Sequence, residues 1–241
     1  RGDLMRHRLP DVQSSVAESK RAAGFVDLGL SGYRATYNLQ VALAEKRKNG
    51  EIEDLFLVTE HPGVFTLGRR GGRENLTVSE QFLESRGIPQ VHIERGGDIT
   101  YHGRGQLVLY PIIHVRQAGL SVSDYVFLLE EVMVRLAASF GVTAARDKKN
   151  HGVWVLNKKL GSVGIAIRHG VSFHGLALNV NVSLEPFSWV NPCGLRGVEM
   201  TTLSGECGGE VTLDMVKAYL KDLLADLFQR QFLEYQKARP Y

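Results

Sequence analysis

The chain has 241 residues, 29 Lys and Arg against 26 Asp and Glu for a formal charge of +3, and 44% hydrophobic residues, the make-up of a globular protein long enough to bury a full core. So slight a positive excess argues against a dedicated nucleic-acid binder, while leaving room for a local basic face that meets an acidic protein partner. The longest apolar runs, such as Leu107 to Val115, fall well short of the roughly 20 residues that cross a bilayer as a helix, so no membrane span is expected.

The first twenty residues, Arg1 to Lys20, mix charge, Pro and Ser without an apolar h-region and do not read as a secretory signal, which makes the cytoplasm the default setting. Residues 1–22 are expected to be loosely held, and 23–241 to form one domain, because no linker, charge block or repeat offers a place to divide them.

In chain order, Tyr33, Tyr37, Val41 and Ala44 form a helical stripe that predicts a helix over Tyr33 to Lys48, closed by Asn49-Gly50. Leu55 to Thr59 reads as a buried strand, and Val64 to Leu67 as an extended piece after the His61-Pro62-Gly63 loop. Thr77-Val-Ser-Glu80 has the capping-box pattern and predicts a short helix ending at Gly87. Strands follow at Val91 to Glu94, Ile99 to His102 and Leu107 to Val115, then a helix from Val122 to Phe140. Gly152 to Leu156, Lys159 to Ile167 and Val171 to Val182 predict an antiparallel meander, and Leu213 to about Leu233 a last amphipathic helix. Strands in clusters with flanking helices indicate an α+β fold, with a mixed or antiparallel sheet covered on one face.

Three stretches carry chemical promise. In Arg95-Gly-Gly-Asp-Ile-Thr-Tyr-His-Gly-Arg-Gly-Gln106, four glycines lie among polar residues just before an apolar strand, which allows close approach of backbone to a ligand and equally allows a plain hairpin. The spacing is neither a dinucleotide fingerprint nor a phosphate loop. Cys193, within Asn191-Pro-Cys-Gly-Leu195, reads as a loop thiol offered to a ligand, whereas Cys207 has no evident activator; a lone Cys is more often a buried hydrophobe. A free thiol with a pKa near ~8.5 is only slightly ionised at neutral pH, so a nucleophilic Cys193 needs a cation beside it. Lys159 is one candidate, opening a strand of apolar and small residues; His61 or His102 as a base keeps a thiol-hydrolase reading open. His151, His169 and His174 are not at zinc-site spacings, and no metal is expected.

Taken together, the glycine-rich stretch, Gly152-Val-Trp154, Lys159-Leu-Gly-Ser-Val-Gly164, Ser172-Phe-His-Gly-Leu-Ala-Leu-Asn-Val180 and Asn191-Pro-Cys-Gly-Leu195 resemble, in order and spacing, the lipoyl(octanoyl) transferase family. The resemblance runs from about Tyr33 to Phe232, with one departure at Arg104, where that family usually has Pro. It implies the fold shared with biotin- and lipoate-protein ligases, a mixed sheet with flanking helices and a smaller second sheet. It implies Cys193 as acyl-thioester nucleophile and Lys159 as its partner. It also implies substrate binding by Arg95, Gly96, Gly97, Asp98, Ile99, Thr100, Tyr101 and His102, by Ser162, Val163 and Gly164, and by Gly175, Leu176 and Ala177. The donor would be octanoyl-acyl carrier protein, the acceptors lysines on lipoyl domains of 2-oxoacid dehydrogenases and on the glycine cleavage H protein, and no cofactor would be needed. The alternatives are an ATP-dependent lipoate- or biotin-protein ligase on the same fold, and a catalytically silent acyl-binding module.

Overall fold

The computed structural model describes residues 20–71, 73–147, 151–191 and 197–233. The chain opens with a β-α-β unit: β1 (Arg21–Leu30), α1 (Tyr33–Lys48) and β2 (Asp54–Glu60), with β1 and β2 paired in parallel. A smaller sheet follows, from β3 (Val64–Leu67), α2 (Glu80–Ser85), β4 (Gln90–His92) and β5 (Ile99–His102), in the order β4-β3-β5. Next come β6 (Gln106–Ile112), α3 (Val122–Ser139), β7 (Ala145–Arg146), β8 (Val153–Val155), β9 (Lys158–Arg168) and β10 (Val171–Asn179). The described chain closes with β11 (Glu199–Met200), α4 (Leu203–Cys207), α5 (Leu213–Leu227) and β12 (Arg230–Leu233).

The main sheet runs β12-β1-β2-β6-β10-β9-β8-β7, with β11 paired to β9. Its central strands alternate strictly. Phe56, Val58, Leu107, Leu109, Leu176 and Leu178 enter the core beneath α3 and α5, whereas Leu55, Leu57, Val108, Tyr110 and Phe173 enter a second core reached by Tyr37, Leu39 and Leu43 of α1. Period-2 alternation sends successive side chains to opposite faces, so both faces are covered rather than the one expected. The predicted meander is present: β8, β9 and β10 pair antiparallel in sequence. His169 (φ +50°) and Gly170 (φ +84°) make the two-residue turn whose positive φ values match the twist of a hairpin. The capping box of α3 is formed by Ser121 and Asp124.

Several expectations need correction. The last helix ends at Leu227, not Leu233: Gln229 turns left-handed (φ +51°), and Arg230–Leu233 joins β1 as a parallel edge strand. A guanidinium explains the change, since Arg230 is buried and reaches Asp54 Oδ2 with Nη2 at 2.7 Å and Nε at 3.1 Å, which a continued helix would not provide. The cap of α2 is Ser79, whose hydroxyl accepts from the Phe82 N–H at 3.1 Å; Thr77 instead donates to Ser188 O. β1 takes in Arg21 and Ala22, which were expected in the loosely held segment. The glycine-rich stretch is not a hairpin, because β5 pairs with β3 in the small sheet while β6 pairs with β2 and β10 in the main one. No described helix is long and apolar enough to cross a membrane.

Candidate active site

A cleft lies between the two sheets. Its floor is the β9–β10 ladder, where Ser162 faces Ala177, Val163 faces Leu176 and Gly164 faces Gly175. One wall is the run Arg95, Gly96, Gly97, Asp98, Ile99 and Thr100 that leads into β5, and the other is made by Tyr33, His102, Val108 and Tyr110. Local sequence dictates this closeness. Gly96 N–H donates to Ile165 O at 2.9 Å, and a Cβ on Gly164 would sit 3.1 Å from both Gly96 O and Arg95 Cδ, so a side chain at position 164 would press the wall a few tenths of an ångström off the floor.

Buried hydrogen bonds hold the wall in shape. Arg95 is 8% exposed and donates to Thr66 O at 2.7 Å, Thr66 Oγ1 at 2.8 Å and Gly96 O at 2.9 Å. Asp98 accepts from its neighbour Ile99 N at 2.6 Å and from Asn75 Nδ2 at 2.8 Å. Gln106 donates through Nε2 to Tyr101 O and to Asn179 Oδ1, which turns its oxygen toward His102 Nδ1 at 2.7 Å. His102 therefore carries its proton on Nδ1 and keeps a lone pair on Nε2. Burial first, then the neighbouring His61 ring, drives its pKa down to about 3.

Lys159 lies 2% exposed among the cleft residues, with Nζ 5.5 Å from the centroid of the Trp154 ring. Its place follows from β9, whose residue 159 pairs with Trp154 on one side and with Met200 of β11 on the other. Thr201 N–H also donates to Lys159 O at 2.9 Å. Cys193 lies outside the described residues. The described chain on either side of it is tied to this region: Asn191 N–H donates to Asn75 O at 2.8 Å, next to Asp98, and Glu199 pairs with Lys158.

The remaining expectations divide cleanly. Arg95 to Thr100, His102, Ser162 to Gly164 and Gly175 to Ala177 all line the cleft with Lys159. Tyr101 does not: its ring packs between Phe65 and Phe187 in the core of the small sheet, because alternation along β5 turns it away from its neighbours. Arg104 is exposed in the turn before β6 and is not part of the lining. Neither histidine suits the role of thiol base. His61 commits Nδ1 to Ser31 O at 2.7 Å and Nε2 to Tyr110 Oη at 2.9 Å, and His102 is too weak a base. Sequence reasoning missed Tyr33, Val108, Tyr110 and His174 as lining residues. The first three sit on apolar stripes indistinguishable from core positions; only the Phe-His-Gly setting of His174 offered a signal.

Known proteins resemble this chain in sequence and in fold. The lipoyl protein ligase A/B catalytic domain model matches residues 32–225. The chain is 55% identical over 206 residues to an octanoyltransferase of Desulfotalea psychrophila, covering 84% of this chain and 92% of that one. It is 45% identical over 214 residues to an octanoyltransferase of Syntrophobacter fumaroxidans, covering 89% and 94%. Among solved structures, lipoate-protein ligase A bound with ATP superposes with a TM-score of 0.68 at 14% identity, covering 90% of this chain and 88% of that one, which establishes a shared fold. The chain accordingly belongs to the lipoyl protein ligase A/B catalytic domain family.

Proposed function

We propose that the protein is an acyltransferase that moves an octanoyl group from octanoyl-acyl carrier protein to a lysine of a lipoyl domain, through a thioester on Cys193. The lipoyl domains of 2-oxoacid dehydrogenases and the glycine cleavage H protein are the acceptors, and the cytoplasm is the setting. The relatives named octanoyltransferase support the reaction class. The observation that carries the reading is the placement of Lys159, a lysine almost wholly withdrawn from water on a cleft lined by glycines and aliphatic side chains.

The chemistry follows from that setting. An ammonium beside a thiol favours the thiolate, which attacks the incoming thioester carbonyl; Lys159 gives its proton to the departing sulfur, the carrier leaves as a thiol, and the acyl group stays on Cys193 beside a now neutral lysine. One thioester replaces another, so the step needs no activation by ATP. In the second half the acceptor amine attacks as its free base, its proton passes to Lys159 or to water, and amide formation drives the transfer forward. Backbone N–H groups along Ser162 to Gly164 are the donors to the tetrahedral oxyanion in this reading, and Val108 and Ala177 offer apolar surface to the chain.

The test is intact-mass spectrometry after mixing the protein with octanoyl-acyl carrier protein. A hydroxylamine-labile octanoyl adduct is expected at Cys193, absent in Cys193→Ala and formed much more slowly in Lys159→Ala. An adduct on Cys207, or ATP-dependent attachment of free lipoate that survives Cys193→Ala, would overturn the proposal, the latter in favour of a ligase.

A further inference from the structure

We propose that the His174 side chain closes the far end of the cleft and limits the acyl chain to eight carbons. The inference rests on the octanoyl-transfer reading and specifies what that site measures.

The length of the cleft can be counted along β9. A Cβ placed on Gly152 would lie 3.1 Å from Lys159 Cε and 3.2 Å from Ser162 Cα, so the lysine chain runs beside its own strand toward the level of Ser162. His174 faces Ile165 across the β9–β10 ladder. From Ser162 to Ile165 the strand advances roughly 10 Å at ~3.3 Å per residue. An extended eight-carbon chain, with seven bonds of ~1.5 Å in a zigzag, spans roughly 9 Å, and its terminal methyl fills the remainder. A chain whose carbonyl lies at the amine therefore ends against the His174 ring.

That ring is built to stay in place. His174 is 2% exposed and adopts φ +58°, a left-handed conformation that few residues other than Gly or Asn take up readily. Its N–H leaves the β6–β10 ladder to donate to Gln40 Oε1 of α1 at 2.7 Å, and its ring stacks on Tyr37 at 5.8 Å between centroids. Among the described residues Nε2 has no hydrogen-bond partner, and Glu94 Oε2 stands 3.9 Å away. Glu94 is itself held by the Tyr37 hydroxyl at 3.0 and 3.1 Å and by Arg168 at 3.1 Å. A methylene beyond the eighth would have to move a ring fixed by its backbone and its stacking partner, or press hydrocarbon into a charged cluster.

The experiment is the rate of Cys193 acylation by acyl carrier protein loaded with six-, eight-, ten- and twelve-carbon chains. For the unaltered enzyme the rate is expected to fall by about tenfold or more between eight and ten carbons, since a methylene that fits contributes several-fold and one that clashes costs more. In His174→Gly, which suits the left-handed backbone, the ratio of ten- to eight-carbon rates should rise about tenfold; His174→Asn, which also tolerates that backbone, should give a smaller rise. A smooth decline with chain length in the unaltered enzyme overturns the ruler without any variant, as does an unchanged ratio in either folded variant. Failure to accept any acyl group from the carrier protein overturns the transfer reading itself.

Discussion

Gln106 donates a hydrogen bond to Asn179 at 2.9 Å, joining the turn after the glycine-rich wall to the end of β10. Asn179 passes the connection on through Nδ2 to Thr201 O at 3.1 Å, and Thr201 N–H holds Lys159 O. The wall, the floor and the backbone of the buried lysine are thus one hydrogen-bonded unit. Truncation in Asn179→Ala leaves a buried Gln106 donor and the Thr201 carbonyl without this partner, a loss of about 1–3 kcal/mol. Urea unfolding is expected to show that loss, together with slower transfer in protein that remains folded; equal stability of variant and parent would refute the coupling.

Gly152 occupies φ +123°, and a Cβ there would lie 3.1 Å from Lys159 Cε and closer still to Gly161 O. Ala at this position meets both backbone strain and the lysine side chain. Gly152→Ala should destabilise the fold by about 1–3 kcal/mol and slow acylation of Cys193. Melting curves and single-turnover mass spectrometry on the same sample measure the two effects.

The buried histidines set an acid limit. His102 titrates at about 3 in the folded protein against 6.5 for an unperturbed imidazole, because burial disfavours its charged form. Between those values the unfolded chain binds the proton and the folded one does not, so stability rises with pH there and is lost progressively as pH falls from about 6.5 toward 3. Burial lowers the pKa of His61 and His174 as well, which adds loss of the same sign. His102→Gln is expected to flatten the dependence of urea stability on pH between 6.5 and 4.5; an unchanged slope would count against the assignment.

Asp54 accepts from Arg230 at 2.7 and 3.1 Å and from Arg47 at 2.8 Å, with both carboxylate oxygens engaged. Removing the acid strands a buried guanidinium, so Asp54→Ala should cost about 3–5 kcal/mol. Replacing Arg230 by Met, which fills similar volume without a charge, should cost less. Chemical denaturation of the two variants side by side checks the order.

Much of this protein is legible before any coordinates. The Tyr33 stripe, the long apolar run from Leu107 and the meander after Gly152 identify themselves because burial imposes periods of 3.6 and 2 on a chain, and α1, β6, β8, β9 and β10 lie where those periods place them. Of the cleft residues, the stretch from Arg95 announces itself by its glycines, Ser162 to Gly164 and Gly175 to Ala177 follow from the family resemblance, and Tyr33, Val108 and Tyr110 look like any core position. What only the tertiary structure decided are the features that local pattern does not encode. Arg230 leaves the helix because a partner 176 residues away satisfies its charge, and Tyr101 turns from the cleft because its strand joins the small sheet. His174 faces the cleft because α1 supplies Gln40 to hold its backbone out of the ladder. Periodicity reports how a segment is solvated, whereas partners distant in sequence decide where it ends and which way it points.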